Sequence, residues 1–417
     1  MARRIVITCW GSYGDVFPYV GLAKAIQARG VVPVVATSEG YRQTVEQEGI
    51  EFAPVGPDVN PTDRDLIARV MHPAKGGEVI VRELLLPQLA QTYEQLRRAT
   101  LGADLLVTHP ITYAAPVLAE REGLPWVSTV LAPMLFFSVT DLPVFPQAPW
   151  LSAARTLGPW ATRMLVGLAR RATRDWMVPV HRLRAELRLP RGRHPLFEGQ
   201  FSARLTLALF SRVLAEPQPD WPPNVVTTGF VFYNGPDALA PELEAFLASG
   251  PAPIVFTLGT SAVGAAGRFY HESAAAAAQL GVRAVLLTGG FQQNRPAARL
   301  PHGVLLVDRA PHQLLFPRAA AIVHQGGSGT TGQALRSGRP MLVVPHGHDQ
   351  PDNAFRVTRL GVARTLFPQR YRATRVVREL ERLLTDDYRA RAAAAAGAVR
   401  AEGGADAAAA ALERLLR

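Results

Sequence analysis

Residues Ala320–Leu335 read AAIVHQGGSGTTGQAL. An apolar run ends at His324, a glycine-rich turn follows, and a helical stretch begins near Thr330. Strand, glycine turn and helix together aim backbone N–H groups and the positive end of a helix at one point. An anion, typically a phosphate, fits there. The glycines let backbone approach a ligand closely. Two chemistries match the stretch. Gly327, Gly329 and Gly332 spell G-x-G-x-x-G after a strand, the dinucleotide-binding fingerprint, and Asp349 lies near where a ribose-binding acid belongs. The other is a sugar-nucleotide site, in which His324 and the loop hold a diphosphate.

Outward from this motif, short apolar runs alternate with helical stretches. Ile254–Leu258, Ala284–Thr288, Val304–Val307, Ala320–His324 and Met341–Pro345 form one series of strands. Arg4–Thr8, Val31–Ala36, Leu105–Thr108, Trp126–Leu131 and Arg204–Phe210 form another. Tyr19–Arg29, Gly77–Arg98 and Thr330–Ser337 are among the helical stretches between them. Continuous apolar strands separated by helices indicate parallel sheets covered on both faces. The fold class is therefore α/β, with two doubly wound, Rossmann-like parallel-sheet domains facing a cleft. A Pro-rich stretch, Glu216–Pro223 (EPQPDWPP), marks the boundary. The expected division is residues 1–223, a linker at 224–252, a second domain at 253–390, and a helical tail at 391–417 broken at Gly403-Gly404. Trp150–Phe197 reads as helices inserted in the first domain, with Trp160 and Trp176 as core residues. Ligands of such sheets sit at the carboxyl ends of the strands.

Composition narrows the function. The chain has 417 residues, one cysteine (Cys9), 45 Lys+Arg against 34 Asp+Glu, and a net charge of +11. A disulfide scaffold and a cysteine-rich metal site are excluded. No apolar run approaches the ~20 residues a membrane span needs. The opening apolar run is too short for a signal-peptide core, which places the protein in the cytoplasm with at most peripheral membrane contact. Lys24 and Lys75 are the only lysines, and the arginines look scattered, so nucleic acid is not an expected partner.

The stretches RAPHQLLF, from Arg309, and HQGGSGTTGQALRSGRPMLVVPHGHDQPDNA, ending at Ala354, resemble the donor-binding signature of the family 1 glycosyltransferases. These are two-domain enzymes of GT-B fold that use nucleotide-diphosphate sugars. Gly11–Ile26 (GSYGDVFPYVGLAKAI) is similar to the start of their bacterial and sterol-type branch, which includes rhamnosyltransferase-chain-A, macrolide and flavonoid enzymes. The resemblance implies an inverting transfer from a UDP-sugar or dTDP-sugar to a hydroxyl of a hydrophobic small molecule or lipid; the Asp349-Gln350 pair puts UDP-glucose first, with a dTDP-rhamnose-type transfer to a hydroxy-lipid as the alternative and an NAD-dependent oxidoreductase as a more distant one. It implies no cofactor and no metal, and a monomer or homodimer.

Residue by residue, the resemblance implies that Arg309 takes the place of a base-stacking Trp and that Ala310 pairs with the base through its backbone. His312 follows in the same motif. His324 binds a diphosphate oxygen, helped by Gly326, Gly327, Ser328, Gly329 and Thr330. Gln333 lies near a ribose-binding position, Ser261 near a phosphate. Asp349 and Gln350 match an acid–amide pair that binds sugar hydroxyls, with His348 beside them.

Transfer to a hydroxyl also needs a base within hydrogen-bond reach. Asp15, in Gly11-Ser12-Tyr13-Gly14-Asp15, is either a helix cap or that base. The resemblance favours the base, alone or paired with His109, which ends the strand Leu105–Thr108. Asp63-Arg64-Asp65 has the D-x-D form of a metal site but reads as a helix start. Trp10, Tyr13, Phe17, Met134, Phe136 and Phe137 are candidates to line an apolar acceptor site, or core.

Overall fold

The computed structural model describes residues 3–60, 63–235, 237–296 and 300–416. Pro236, inside the expected linker, lies outside them. Seven parallel strands form the first sheet: β1 (Arg4–Thr8), β2 (Val32–Thr37), β3 (Glu51–Pro54), β4 (Leu105–Thr108), β5 (Trp126–Val130), β6 (Thr206–Ala208) and β7 (Val225–Thr227). Their order is β3-β2-β1-β4-β5-β6-β7. Six form the second: β8 (Ile254–Thr257), β9 (Ala284–Leu287), β10 (Val304–Val307), β11 (Ala321–His324), β12 (Met341–Val343) and β13 (Ala363–Thr365), in the order β10-β9-β8-β11-β12-β13. Both orders reverse once, between β1 and β4 and between β8 and β11. Crevices open at those two switch points.

The central strands are apolar because helices cover both faces. Ile5, Val6 and Ile7 of β1 pair with β2 on one side and β4 on the other, and all three are buried. Ile322 and Val323 hold the same place between β8 and β12.

Seven helices place the site. They are α1 (Tyr13–Gln27), α2 (Arg64–Val70), α3 (Pro159–Ala172), α4 (Ser328–Ser337), α5 (Gln350–Arg359), α6 (Asp386–Ala401) and α7 (Gly404–Leu416). The tail breaks where expected. Gly404 has φ +49°, and a Cβ there would stand 2.7 Å from the Phe230 carbonyl oxygen, so no larger residue fits. Beyond it α7 returns to the first domain, where Ala408, Ala409 and Leu412 share a core with Val16 and Val20 of α1.

Two expectations change, and the reading of Asp63-Arg64-Asp65 as a helix start holds. Val225–Thr227 is the edge strand of the first sheet, so that sheet runs past residue 223 into the stretch read as linker. Asp63 is the N-cap of α2, accepting the Leu66 N–H at 3.0 Å. Trp160 is 65% exposed rather than core.

The domains are tied together by polar contacts. Ser328 donates its hydroxyl to the Leu131 carbonyl at 2.5 Å. The buried Asp352 and Arg356 of α5 form an ion pair at 2.7 Å. Arg356 also reaches Asp141 of the first domain at 2.5 Å, and Asp352 accepts the Val144 N–H at 2.9 Å. With its hydrogen bonds made, this buried pair fixes one domain orientation; removing one partner strands a buried charge.

Candidate active site

The loop after β11 is shaped by its glycines and by a histidine. Gly326 has φ +90°, and a Cβ there would lie 2.8 Å from Val343. The Gly326 N–H donates to His324 Nδ1 at 3.1 Å. A nitrogen that accepts carries no proton, and burial drives the His324 pKa down to about 3. The ring is therefore neutral, with its proton on Nε2. That Nε2 is buried and has no hydrogen-bond partner. Buried donors are normally paired, so this one is a mark of ligand binding.

Other unpaired atoms lie on the same loop and on α4 and α5. Gln325 Oε1, Thr331 Oγ1, Gln333 Oε1 and Asn353 Oδ1 are buried without partners. No side chain caps α4 at Gly327. Apart from the Ser328 N–H, which Asp349 takes, the start of that helix thus offers its dipole and first-turn N–H groups to an anion. Thr330 is buried and holds Gln325 Nε2 at 3.4 Å. His312 stacks on Phe316 at 4.2 Å between ring centroids, and burial pushes its pKa down to about 4. It is a second neutral imidazole, close enough to His324 to lower it further.

Asp349 closes one wall. Its Oδ2 accepts the Ser328 N–H at 3.2 Å and Asn353 Nδ2 at 2.8 Å. Burial, and then the nearby Asp15 charge, raise its pKa to about 7. Two carboxylates from opposite domains therefore face each other across the cleft.

Asp15 is the N3 residue of a capping box. Its Oδ2 accepts the Ser12 N–H at 2.8 Å and the Ser12 hydroxyl at 3.0 Å. The cap role and the base role do not compete, because they use different oxygens. Oδ1 faces His109 Nε2 at 3.9 Å, beyond hydrogen-bond reach. Burial raises the Asp15 pKa, and the Ser12 bonds hold it back. His109 is buried and its pKa falls to about 3. Its Nδ1 accepts from Ile111 N–H at 3.4 Å, so its Nε2 carries the proton. His109 is thus a neutral imidazole whose Nε2–H lies near Asp15 without bonding it.

Several expected site residues have other duties. Gln350 is 2% exposed, and its Oε1 accepts the His346 and Gly347 N–H groups at 2.8 and 3.2 Å. Its oxygen clamps the loop, and the amide NH2 is the group left for a ligand. His348 has φ +56° and bonds the Val70 carbonyl of the first domain. Phe136 is core, stacked on Trp221 at 4.0 Å. Met134 is buried. Trp10 is buried and donates Nε1 to the Pro57 carbonyl at 2.8 Å. The recess beside it has a volume of about 20 Å³, room for a water and not for an organic acceptor.

Tyr13 and Phe17 are half-buried and lie 4.9 Å apart between ring centroids. The Arg309 guanidinium stands 6.0 Å over the Tyr13 ring, across the domain boundary. Ala310 follows it, half-buried. Phe137, at φ +50°, packs on Phe197. Ser261 and Gly329 are half-buried, Ser261 in the turn after β8 and Gly329 in the first turn of α4. Gln325 and Asn353 were not singled out from the sequence. Asn353 stands four residues after Asp349, the spacing of neighbours on a helix face, and that was the available signal. Among the described residues no cluster of three His, Cys, Asp or Glu side chains is placed to hold a metal ion.

Two parallel-sheet domains with an anion cradle and an acid at facing switch points define a two-domain glycosyltransferase of GT-B fold. Comparison with known proteins narrows the class. The model of the glycosyltransferase family 28 N-terminal domain matches residues 5–128. That of the erythromycin biosynthesis protein CIII-like C-terminal domain matches residues 275–413. The chain is 34% identical over 383 residues to O-mycaminosyltylonolide 6-deoxyallosyltransferase of Streptomyces fradiae, across 86% of this chain and 84% of that one. The solved glycosyltransferase of kitacinnamycin superposes with a TM-score of 0.74 at 22% identity, over the full length of both chains. A spinosyn rhamnosyltransferase complexed with thymidine diphosphate superposes with a TM-score of 0.69 at 20% identity, again over both full lengths. The chain belongs to the glycosyltransferase family that joins a family 28 N-terminal domain to an erythromycin-CIII-like C-terminal domain. No helix among the described residues is long and apolar enough to cross a membrane.

Proposed function

We propose that this glycosyltransferase moves a hexose from a nucleoside diphosphate sugar to a hydroxyl of a hydrophobic small molecule, with inversion at the anomeric carbon. The unpartnered Nε2–H of His324, buried beside the uncapped start of α4, carries the reading. A neutral donor and a helix end together match a diphosphate. In the transfer the acceptor hydroxyl gives its proton to Asp15 Oδ1 while its oxygen bonds to the anomeric carbon. The bond from that carbon to the diphosphate breaks on the opposite face, and its electron pair leaves with the nucleoside diphosphate. Because α4 and His324 meet the leaving charge, the reading needs no metal ion, and a chelator should leave the rate unchanged.

The donor is where the site and the first expectation part. Glucose was favoured by an Asp349–Gln350 pair, and the Gln350 oxygen is committed to the loop. Asp349 and the Gln350 amide nitrogen remain to hold hydroxyls. The relatives described above transfer a 6-deoxyallose or hold thymidine diphosphate. A 6-deoxyhexose on thymidine diphosphate therefore ranks before glucose on uridine diphosphate. The test is a donor-by-acceptor screen with macrolide and phenolic acceptors, followed by NMR of the anomeric proton of the product. A β-linked product from an α-linked donor supports the reading. A product with retained configuration, or none from any nucleotide sugar, contradicts it.

A further inference from the structure

Helix α3 turns its apolar side to solvent. Its inward positions Ala161 and Thr162 are buried, and the Thr162 hydroxyl holds the Val139 carbonyl at 2.6 Å. Outward, Trp160, Met164 and Leu168 recur every four residues and are 65%, 58% and 63% exposed. Trp150 and Leu157, on the turn before the helix, extend the patch and are equally bare. A surface helix of a soluble domain shows the reverse pattern. A contiguous patch of this kind marks a contact surface.

The rim of the patch is cationic. Residues 149–194 contain ten arginines against Asp175 and Glu186 alone, so most of the chain's net charge of +11 arises there. The arginines are thus not scattered. Arg170 is paired with Glu198, and Arg184 with Glu120. Arg163, Arg171 and Arg174 are exposed, and no ion pair engages them among the described residues.

We infer that α3 and the turn before it dock in the plane of an anionic lipid surface. Trp, Met and Leu would enter the acyl boundary while arginine stems reach back to the lipid phosphates. The charge selects this occupant. A second copy of the chain would bring the same basic rim to a two-fold contact, where like charges oppose one another. Anionic headgroups oppose the rim with the right sign, and each arginine near such a surface is worth about fivefold in partitioning. The inference goes beyond the transfer reading and stands without it, since binding is measured with no sugar donor present.

The test is flotation of the full-length protein with vesicles of phosphatidylcholine alone, or of phosphatidylcholine containing about one-third phosphatidylglycerol. The protein should float with the anionic vesicles and be released by high salt. Trp160→Ser/Met164→Ser/Leu168→Ser should lower the partition coefficient by about tenfold or more, and Arg163→Glu/Arg171→Glu similarly. Unchanged thermal melts show that both variants remain folded, as their exposed positions require. Absence of flotation, equal flotation with neutral vesicles, or undiminished binding by both variants overturns the proposal. So does a shift from dimer to monomer in the apolar variant by size exclusion, which makes the face a contact between copies.

Discussion

The two facing loops of the cleft are built alike and finished differently. Each follows a central strand at a switch point, β1 or β11, and each opens a helix, α1 or α4. At α1 the helix end is sealed by its own residues: Ser12 and Asp15 form a reciprocal capping box. At α4 the N-cap is Gly327, which has no capping side chain, and only the first N–H, that of Ser328, is taken, by Asp349. A capped helix end has spent its N–H groups and its dipole on protein atoms; an uncapped one keeps them for an anion. The same strand–loop–helix unit therefore serves as a platform for a carboxylate on one side and as a cradle for a diphosphate on the other. The pKa shifts agree with this division. Asp15 is raised by burial and Asp349 by burial and then by the Asp15 charge, whereas His324 is held neutral as a donor.

The largest effect should come from breaking the platform's chemistry without its shape. Asp15→Asn keeps an oxygen for Ser12 and removes the base. Transfer should fall by about 10²–10⁴-fold, with nucleoside diphosphate binding unchanged by calorimetry. Near wild-type turnover would remove Asp15 from the mechanism. The next test makes the cradle resemble the platform. Gly327→Ser adds a capping hydroxyl to α4; its Cβ would meet the flexible end of Gln325 at 2.9 Å. Stability should change by only a few tenths of a kcal/mol, while nucleotide affinity drops about tenfold, since one cap competes with the ligand for the same N–H groups. Unaltered affinity would mean that the helix end is not the anion site.

The reverse change opens the platform. Ser12→Ala should cost about 1 kcal/mol of stability in a denaturant melt. It also removes a hydrogen bond that holds the Asp15 pKa down, so the acid limb of the pH–rate profile should move to higher pH. A limb that stays in place would show that Asp15 does not govern it. The smallest effect concerns Asp349. Its folded pKa of about 7 lies above the unfolded value of ~3.9. The folded state therefore holds this proton more tightly, and the stabilisation it gives at low pH is lost as pH rises from about 4 through 7. Asp349→Asn should gain thermal stability relative to wild type at pH 8 and little at pH 5. An equal difference at both would contradict the raised pKa.

The centre of the fold was legible, and of the four edge strands only Val304–Val307 was. Ile5–Ile7 and Ile322–Val323 are buried on both faces and read as continuous apolar runs. Glu51–Pro54, Val225–Thr227 and Ala363–Thr365 are short edge strands, partly exposed, with no such run to announce them. Within the site, loop chemistry followed from glycine spacing and the terminal His324. Side-chain direction did not. Gln350 and Phe136 sit in the right segments, but one turns its oxygen back to its own loop and the other stacks on Trp221, far along the chain. Nothing local in sequence specifies such a partner. Trp160 failed for a different reason: helical spacing shows which residues share a face, not whether that face is covered.

The central claim is that the neutral, unpartnered His324 and the open start of α4 bind the diphosphate of the donor. Calorimetric titration of wild type and His324→Ala with thymidine diphosphate, and with uridine diphosphate alongside, tests it most directly. The account predicts one site per chain in the wild type and its loss in the variant, with the fold intact by thermal melt. Equal binding by both proteins, or binding of a nicotinamide dinucleotide in place of either diphosphate, would contradict it.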